Sequence, residues 1–281
     1  MMGKALKKKG LLVLAALFVV GAAGCTAKGG NGKDEEAANL LEKIKNQGYI
    51  TMVTSPDYPP YEFEDLTKTG QEAIVGADIE LAKAIAEEIG VDLKIEPMAF
   101  DACLAAMGEG KADIMIAGMV PKEERLTLMD FSSTFNNDGD QAILILKENA
   151  DKYKTLEDFN GESVAAQNGT LQYELVESQL KGATAAPITE ISDAILMLKS
   201  GKVAGVAIAT VSGDNYILNN ADLAYAEEKF EYESLGTVAG VAKDEPELLE
   251  VINAVVEDAE KSGQYAKWLE EATKLSNELN K

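Results

Sequence analysis

From Leu40 onward the chain alternates short apolar runs with stretches whose apolar residues recur at helical spacing. "YITMV" from Tyr49 has the composition of a strand, and the prolines of the following "SPDYPPYEF" forbid helix there. In "GADIELAKAIAEEIG", Ile79, Ala82, Ile85, Ala86 and Ile89 share one helical face, with Asp78 placed to cap its start and Gly90 its end. An apolar strand at "VDLKIEP" comes next. A helix over 101–108 then runs through Gly110 and Lys111 into the strand "ADIMIAG". The same succession returns in "ILMLKSGKVAGVAIA", with Gly201 and Lys202 at its turn, which implies two lobes of similar plan rather than one sheet. Neither Gly-Lys pair belongs to a phosphate loop, because Ala112 and Val203 stand where a Ser or Thr is required.

Strands alternating with helices predict an α/β class with mainly parallel sheets, and ligands of such sheets sit beyond the C-terminal strand ends. Those ends are "SPDYPPY", "MAFD" and "AGMV" in the first lobe, and "AAQNGTLQ" and "IATVSG" in the second.

Composition narrows the function. The 281 residues carry 48 Asp+Glu against 26 Lys+Arg, a formal charge of −22, so a nucleic-acid backbone would be repelled. The chain has no histidine, which removes the usual neutral-pH proton shuttle and the commonest metal ligand. Two cysteines, Cys25 and Cys103, cannot build a thiolate cluster, and the apolar setting of "DACLAAM" marks Cys103 as a core thiol. No metal and no cofactor is expected. The run "NNDGD" at 136–140 lacks the ligand spacing of a calcium loop and reads as a linker.

The first 24 residues read as an export signal: Lys4, Lys7, Lys8 and Lys9, then the apolar run Leu11 to Val20, then "GAAGC". The site before Cys25 resembles a bacterial lipoprotein processing box, with Ala22 in the place of the usual leucine. A lipid on Cys25 would hold the protein at the outer face of the cell membrane, ordinary secretion being the alternative. Residues 25–40, Gly-rich and charged, are a flexible tether.

One residue stands out by its rarity. Arg125 is the single arginine; every other basic residue is lysine. Its planar fork suits a carboxylate, and it follows the "AGMV" strand end closely. A second anion site is the helix start at Gly169 and Thr170, followed by Leu171 and Gln172, where the first N–H groups and the positive helix end face the crevice. Tyr58 and Phe100, beside rigid backbone, are placed to flank a small ligand.

Taken in order, "SPDYPPYEF", "GADIELAKAIAEEIG", "MAFDACLAAMGEGKADIMIAGM", "EERLTLMDFS", "LEDFNGESVAAQNGTLQYE", "LKSGKVAGVAIAT" and "VAKDEPELLEVINAVVEDAEKSGQYAKW" resemble the amino-acid-binding branch of bacterial extracytoplasmic solute-binding proteins, family 3. The resemblance implies a two-lobe periplasmic-binding-protein fold of type II with two hinge-strand crossings. Lobe 1 would take residues 41–137, lobe 2 residues 138–236, and 237–281 would return to lobe 1. It implies a small carboxylate ligand, an amino acid or a derivative, captured by lobe closure and handed to the permease of an ABC importer. Arg125 and Thr170 would hold the carboxylate, Tyr58 and Phe100 flank the side chain, and Ser55, Gly118, Met119 and Gln167 complete the site.

This sequence departs from that pattern at two positions of the ammonium end: Val120 replaces a hydroxyl residue and Ala209 replaces an acid. The expected ligand therefore lacks an amine, carries it alkylated, or pairs it with another acid such as Asp57 or Asp101. Ser55, where relatives that bind cationic side chains carry an acid, argues against arginine or lysine. The chain is expected not to be an enzyme, although a secreted dehydratase on the same fold, or a surface adhesin or receptor domain, are competing classes.

Overall fold

The computed structural model describes residues 39–279. The expected signal at 1–24, Cys25 and nearly all of the tether lie outside them. Structure begins with helix α1 (Leu40–Gln47), capped by the Asn39 side chain on the Glu42 N–H and closed by Gly48 in the left-handed region. Strand β1 (Tyr49–Thr54) is followed by a small antiparallel sheet of β2 (Asp57–Tyr58), β3 (Glu62–Glu64) and β4 (Ile74–Val75). Then come α2 (Ala77–Ile89), β5 (Asp92–Pro97), α3 (Phe100–Gly108), β6 (Ile114–Met115) and β7 (Met129–Phe131).

The chain next enters β8 (Gln141–Leu146), β9 (Ser163–Gln167), α4 (Leu171–Gln179), β10 (Thr184–Ile188), α5 (Ile191–Lys199), β11 (Gly205–Ala209), α6 (Thr210–Asn219) and β12 (Leu223–Tyr225). It ends with β13 (Gly240–Ala242), α7 (Pro246–Lys261) and α8 (Gln264–Leu279). Strands from the two stretches never mix except at β13. One sheet runs β5-β1-β6-β13-β7, the other β10-β9-β11-β8-β12, so β13 returns the chain to the first sheet.

The sheets are less parallel than the sequence predicts. β1 pairs in parallel with β5 and β6, and β9 with β10 and β11, but β13 runs antiparallel to β6 and β7, and β8 antiparallel to β11 and β12. The reversal has a simple cause. β8 and β13 follow the two crossings between sheets, and each enters its new sheet without a helix to turn it round. The crossings touch where Asn136 forms an antiparallel bridge with Thr237.

The apolar face of α2 packs against the first sheet as its period predicts. Ile79, Leu81, Ala82 and Ile85 are fully buried with Ile50, Ile114, Leu248 and Ile252. Asp78 does not cap that helix. Gly76 is its N-cap, and Asp78, buried in the first turn, accepts from the Gly118 N–H at 2.8 Å and from the Tyr265 hydroxyl at 2.5 Å. Gly76 itself is required: at φ 136° its missing Cβ would lie 2.1 Å from the Tyr61 carbonyl oxygen. Among the described residues no helix is long and apolar enough to cross a membrane.

Candidate ligand-binding cleft

Arg125 sits in a 3-10 turn over Glu123–Thr127, after the end of β6, and is 3% exposed. Its Nη1 donates to the Val120 carbonyl at 2.9 Å and its Nη2 to the Gly169 carbonyl at 2.9 Å, while the buried Nε has no partner. The Phe100 ring, first residue of α3, lies 5.3 Å from the guanidinium carbon. Burial pushes the arginine pKa down to about 10, so it stays charged at neutral pH. No carboxylate among the described residues pairs with it. Neighbouring Glu124 turns instead to Lys122 at 2.8 Å, and Lys122 also contacts Glu174 of α4.

The opposite wall is the start of α4. The Thr170 hydroxyl accepts from the Tyr173 N–H at 3.3 Å, leaving the first N–H groups of the helix without partners inside it. Gly169, with φ 76°, turns the chain from β9 into this helix and presents its carbonyl to Arg125. Gln167 donates to the Thr189 carbonyl at 2.9 Å and reaches Asp57 at 3.2 Å and Ser55 at 3.4 Å.

Tyr58 stacks on Tyr61 at 5.8 Å, and its hydroxyl accepts from the Ala209 N–H at 3.2 Å. A Cβ on Gly118, at φ 54°, would stand 3.1 Å from the Tyr58 ring, so the close approach of ring to backbone needs glycine. These groups enclose about 610 Å³ of space, part of it open to solvent. Ser55, Tyr58, Phe100, Gly118, Met119, Val120, Arg125, Gln167, Thr170, Leu171, Gln172 and Ala209 all line it. Gly169 stands behind the lining, its carbonyl bonded to Arg125.

The acids differ from expectation. Asp57 and Asp101 do not line the cleft. Asp57 is occupied by the Ile191 N–H at 2.7 Å, the Ser55 hydroxyl at 3.0 Å and Gln167; Asp101 accepts from the Asn168 amide at 2.8 Å. Glu62 and Asp138 line it instead, with Tyr61 and Gln141. Glu62 is 1% exposed and one carboxyl oxygen, Oε2, has no partner. Burial, then the neighbouring Asp78 carboxyl, pushes the Glu62 pKa well above the usual carboxylate range. Its signal in the sequence was an acid set between aromatics in "PYEF". Asp138 stands in the run read as a linker; it accepts from the Gly236 N–H at 3.1 Å and from Gln141 at 3.2 Å, tying the two crossings together.

Residues 50–273 match the profile of the bacterial extracellular solute-binding proteins, family 3. The chain is 27% identical over 263 residues to the arginine-binding extracellular protein ArtP of Bacillus subtilis, covering 92% of this chain and 96% of that one. It is 25% identical to the L-cystine-binding protein TcyJ of Escherichia coli, over 80% of this chain and 82% of that one. Its fold is similar, at TM-score 0.78 and 33% identity, to the substrate-binding protein AbpA of an amino acid ABC transporter from Streptococcus pneumoniae, solved with L-arginine bound, covering 84% of this chain and 98% of that one. The chain belongs to family 3 of the bacterial extracellular solute-binding proteins, and its fold is the two-lobe type II fold of periplasmic binding proteins.

Proposed function

We propose that this family member captures an amino acid outside the cytoplasm and delivers it to the permease of an ABC importer. The observation that carries the reading is Arg125: a charged guanidinium, 3% exposed, with two carbonyl contacts and no carboxylate. Burying such a charge without an anion costs several kcal/mol, and a ligand carboxylate removes that cost. Nε and the remaining Nη protons offer the fork, and the first N–H groups of α4 offer the second set of donors. Tyr58 and Phe100 border the space for the side chain.

The two sheets supply opposite walls of the cleft, so a ligand held by both favours the closed state. We take residues 41–137 with 237–281 as one lobe and 138–236 as the other. Arginine is the first solute to test, because relatives that cover most of this chain are named for it. Ser55 alone argues against a cationic side chain, but Glu62 and Asp138 bring two carboxyls into the same space. Attachment to the membrane would come from a lipid on Cys25, checked by metabolic labelling with a fatty acid and its loss in Cys25→Ala.

Calorimetry on the chain refolded free of copurified solute, with L-arginine, L-cystine, L-histidine and neutral amino acids, tests the reading. Saturable binding of one of them, lost in Arg125→Ala, supports it. Failure of every amino acid to bind overturns it, and turnover of a dehydratable carboxylic acid would favour an enzyme instead.

A further inference from the structure

The chain holds three Asn-Gly pairs, at 31–32, 160–161 and 168–169. An asparagine before a glycine is open to attack on its side-chain amide by the next backbone nitrogen, because glycine has no side chain to shield that nitrogen. Asn31–Gly32 lies outside the described residues. Asn160 and Asn168 are both exposed, so water reaches either amide. They differ at the attacking atom. The Gly161 N–H donates to the Gly182 carbonyl at 2.9 Å, which ties up the nitrogen that would attack Asn160. Among the described residues no hydrogen bond engages the Gly169 N–H, so the nitrogen beside Asn168 is free.

What stands around Asn168 gives a change there a consequence. Its Nδ2 donates to Asp101 Oδ2 at 2.8 Å, joining the turn before α4 to the first turn of α3 across the cleft. Gly169 packs against the same element: a Cβ on it would lie 3.7 Å from the Asp101 Cβ and 3.4 Å from the Leu104 side chain. Its carbonyl is the one that takes Arg125 Nη2 at 2.9 Å. Two residues of one turn therefore carry two bonds between the walls. The Asn168 bond is made across the cleft, so it is lost whenever the walls part, and the amide is then unrestrained.

We propose that Asn168 is a site of spontaneous deamidation and that its product weakens closure of the cleft. The Gly169 nitrogen, its proton given to solvent, bonds to Asn168 Cγ; the bond from Cγ to Nδ2 breaks, ammonia leaves, and a succinimide closes. Water then opens the ring at either carbonyl. One opening gives aspartate in an unchanged backbone, the other isoaspartate with one more methylene in the chain. The net change is one water consumed and one ammonia released. Aspartate puts a carboxylate where the amide was, so the hydrogen bond to Asp101 becomes a contact of like charges. Isoaspartate also lengthens the turn and draws the Gly169 carbonyl away from Arg125. The effect on solute capture rests on the amino-acid reading of the cleft; the modification itself does not.

Peptide mapping by mass spectrometry of the wild-type chain, held in warm, mildly alkaline buffer, follows the three pairs separately, with isoaspartate read by isoaspartyl methyltransferase labelling. We expect Asn168 to convert severalfold faster than Asn160. Asn168→Asp supplies the aspartate product in pure form, and calorimetry with the amino acids named above should show affinity about three- to tenfold lower at low salt. Asp101→Asn combined with Asn168→Asp exchanges the partners of the bond and should recover most of that loss. Conversion of Asn160 as fast as that of Asn168, or an Asn168→Asp chain that binds as the wild type does, overturns the proposal. A loss that the exchanged pair does not recover overturns it too, since the contact with Asp101 would not be the cause. Failure of every amino acid to bind the wild type removes the amino-acid reading instead, and the effect on affinity with it, while the mass map still decides the order of conversion.

Discussion

At the scale of single residues the cleft is organised by two side chains whose burial makes sense only with a partner. For Arg125 the partner is planar and anionic. Arg125→Lys keeps the charge but loses the fork and both fixed carbonyl contacts, so affinity for the bound amino acid should fall by about 1.5–3 kcal/mol, read by calorimetry. For Glu62 the consequence reaches stability. Its pKa is raised by folding, so the native state binds a proton the unfolded chain releases. That contribution is complete below the unfolded carboxylate value and is lost as pH rises through the folded one. Thermal melts of the ligand-free chain should therefore show stability declining above the ordinary carboxylate range. Glu62→Gln should flatten that decline and raise the melting temperature at neutral pH. Arg125 was legible in the sequence because it was unique. Glu62 was harder to find: among 48 acids its one signal is its place between Tyr61 and Phe63, and that signal gains meaning only once both rings are seen to be buried.

At the scale of elements, the periodic helices were the readable part and the ends of helices the misleading part. Ile79, Ala82 and Ile85 mark the inner face of α2 whatever lies around it, because burial follows the 3.6-residue repeat. Asp78 looked like a cap by position, yet the close approach of Gly76 to the Tyr61 carbonyl starts the helix earlier and sends the acid inward to Gly118 and Tyr265. Gly76→Ala combines a strained φ with a backbone collision at 2.1 Å, and should cost about 3 kcal/mol or more in urea unfolding. A second helix start is finished from outside its own lobe. α5 has no side-chain cap at Glu190, and the Asp57 carboxylate of β2 takes its Ile191 N–H. The Tyr216 hydroxyl of α6 donates to the Asp57 carbonyl at 2.9 Å. That cap exists only with the two sheets in this arrangement, so Asp57→Ala should weaken ligand binding by roughly 1 kcal/mol, with a larger mean radius in solution scattering of the liganded chain.

At the scale of the whole molecule, repetition of helix, Gly-Lys turn and strand announced two lobes, but it was silent about the crossings, whose antiparallel entry into each sheet depends on contacts between segments far apart in the chain, such as Val206 with Leu144, Gly240 with Met115 and Asn136 with Thr237. Separation along the chain also explains the misreading of "NNDGD": Asp138 is met by Ser234 and Gly236, which return to it from the second crossing. Closure is then a sum of modest contacts across the cleft. Lys122, beside Arg125, meets Glu174 of α4, and Asn168 meets Asp101 at 2.8 Å. Lys122 also pairs with Glu124 at 2.8 Å, and the Glu174 side chain is 45% exposed, so the pair is screened and partly redundant. Glu174→Gln should accordingly raise the dissociation constant no more than about threefold at low salt, with the difference fading near 0.5 M salt. Arg125→Lys should keep its full loss in the same titration, because its ligand contact is buried and salt does not reach it. A Glu174 effect as large as that of Arg125, and equally indifferent to salt, would mean that closure is driven by the rim instead of by the solute between the lobes.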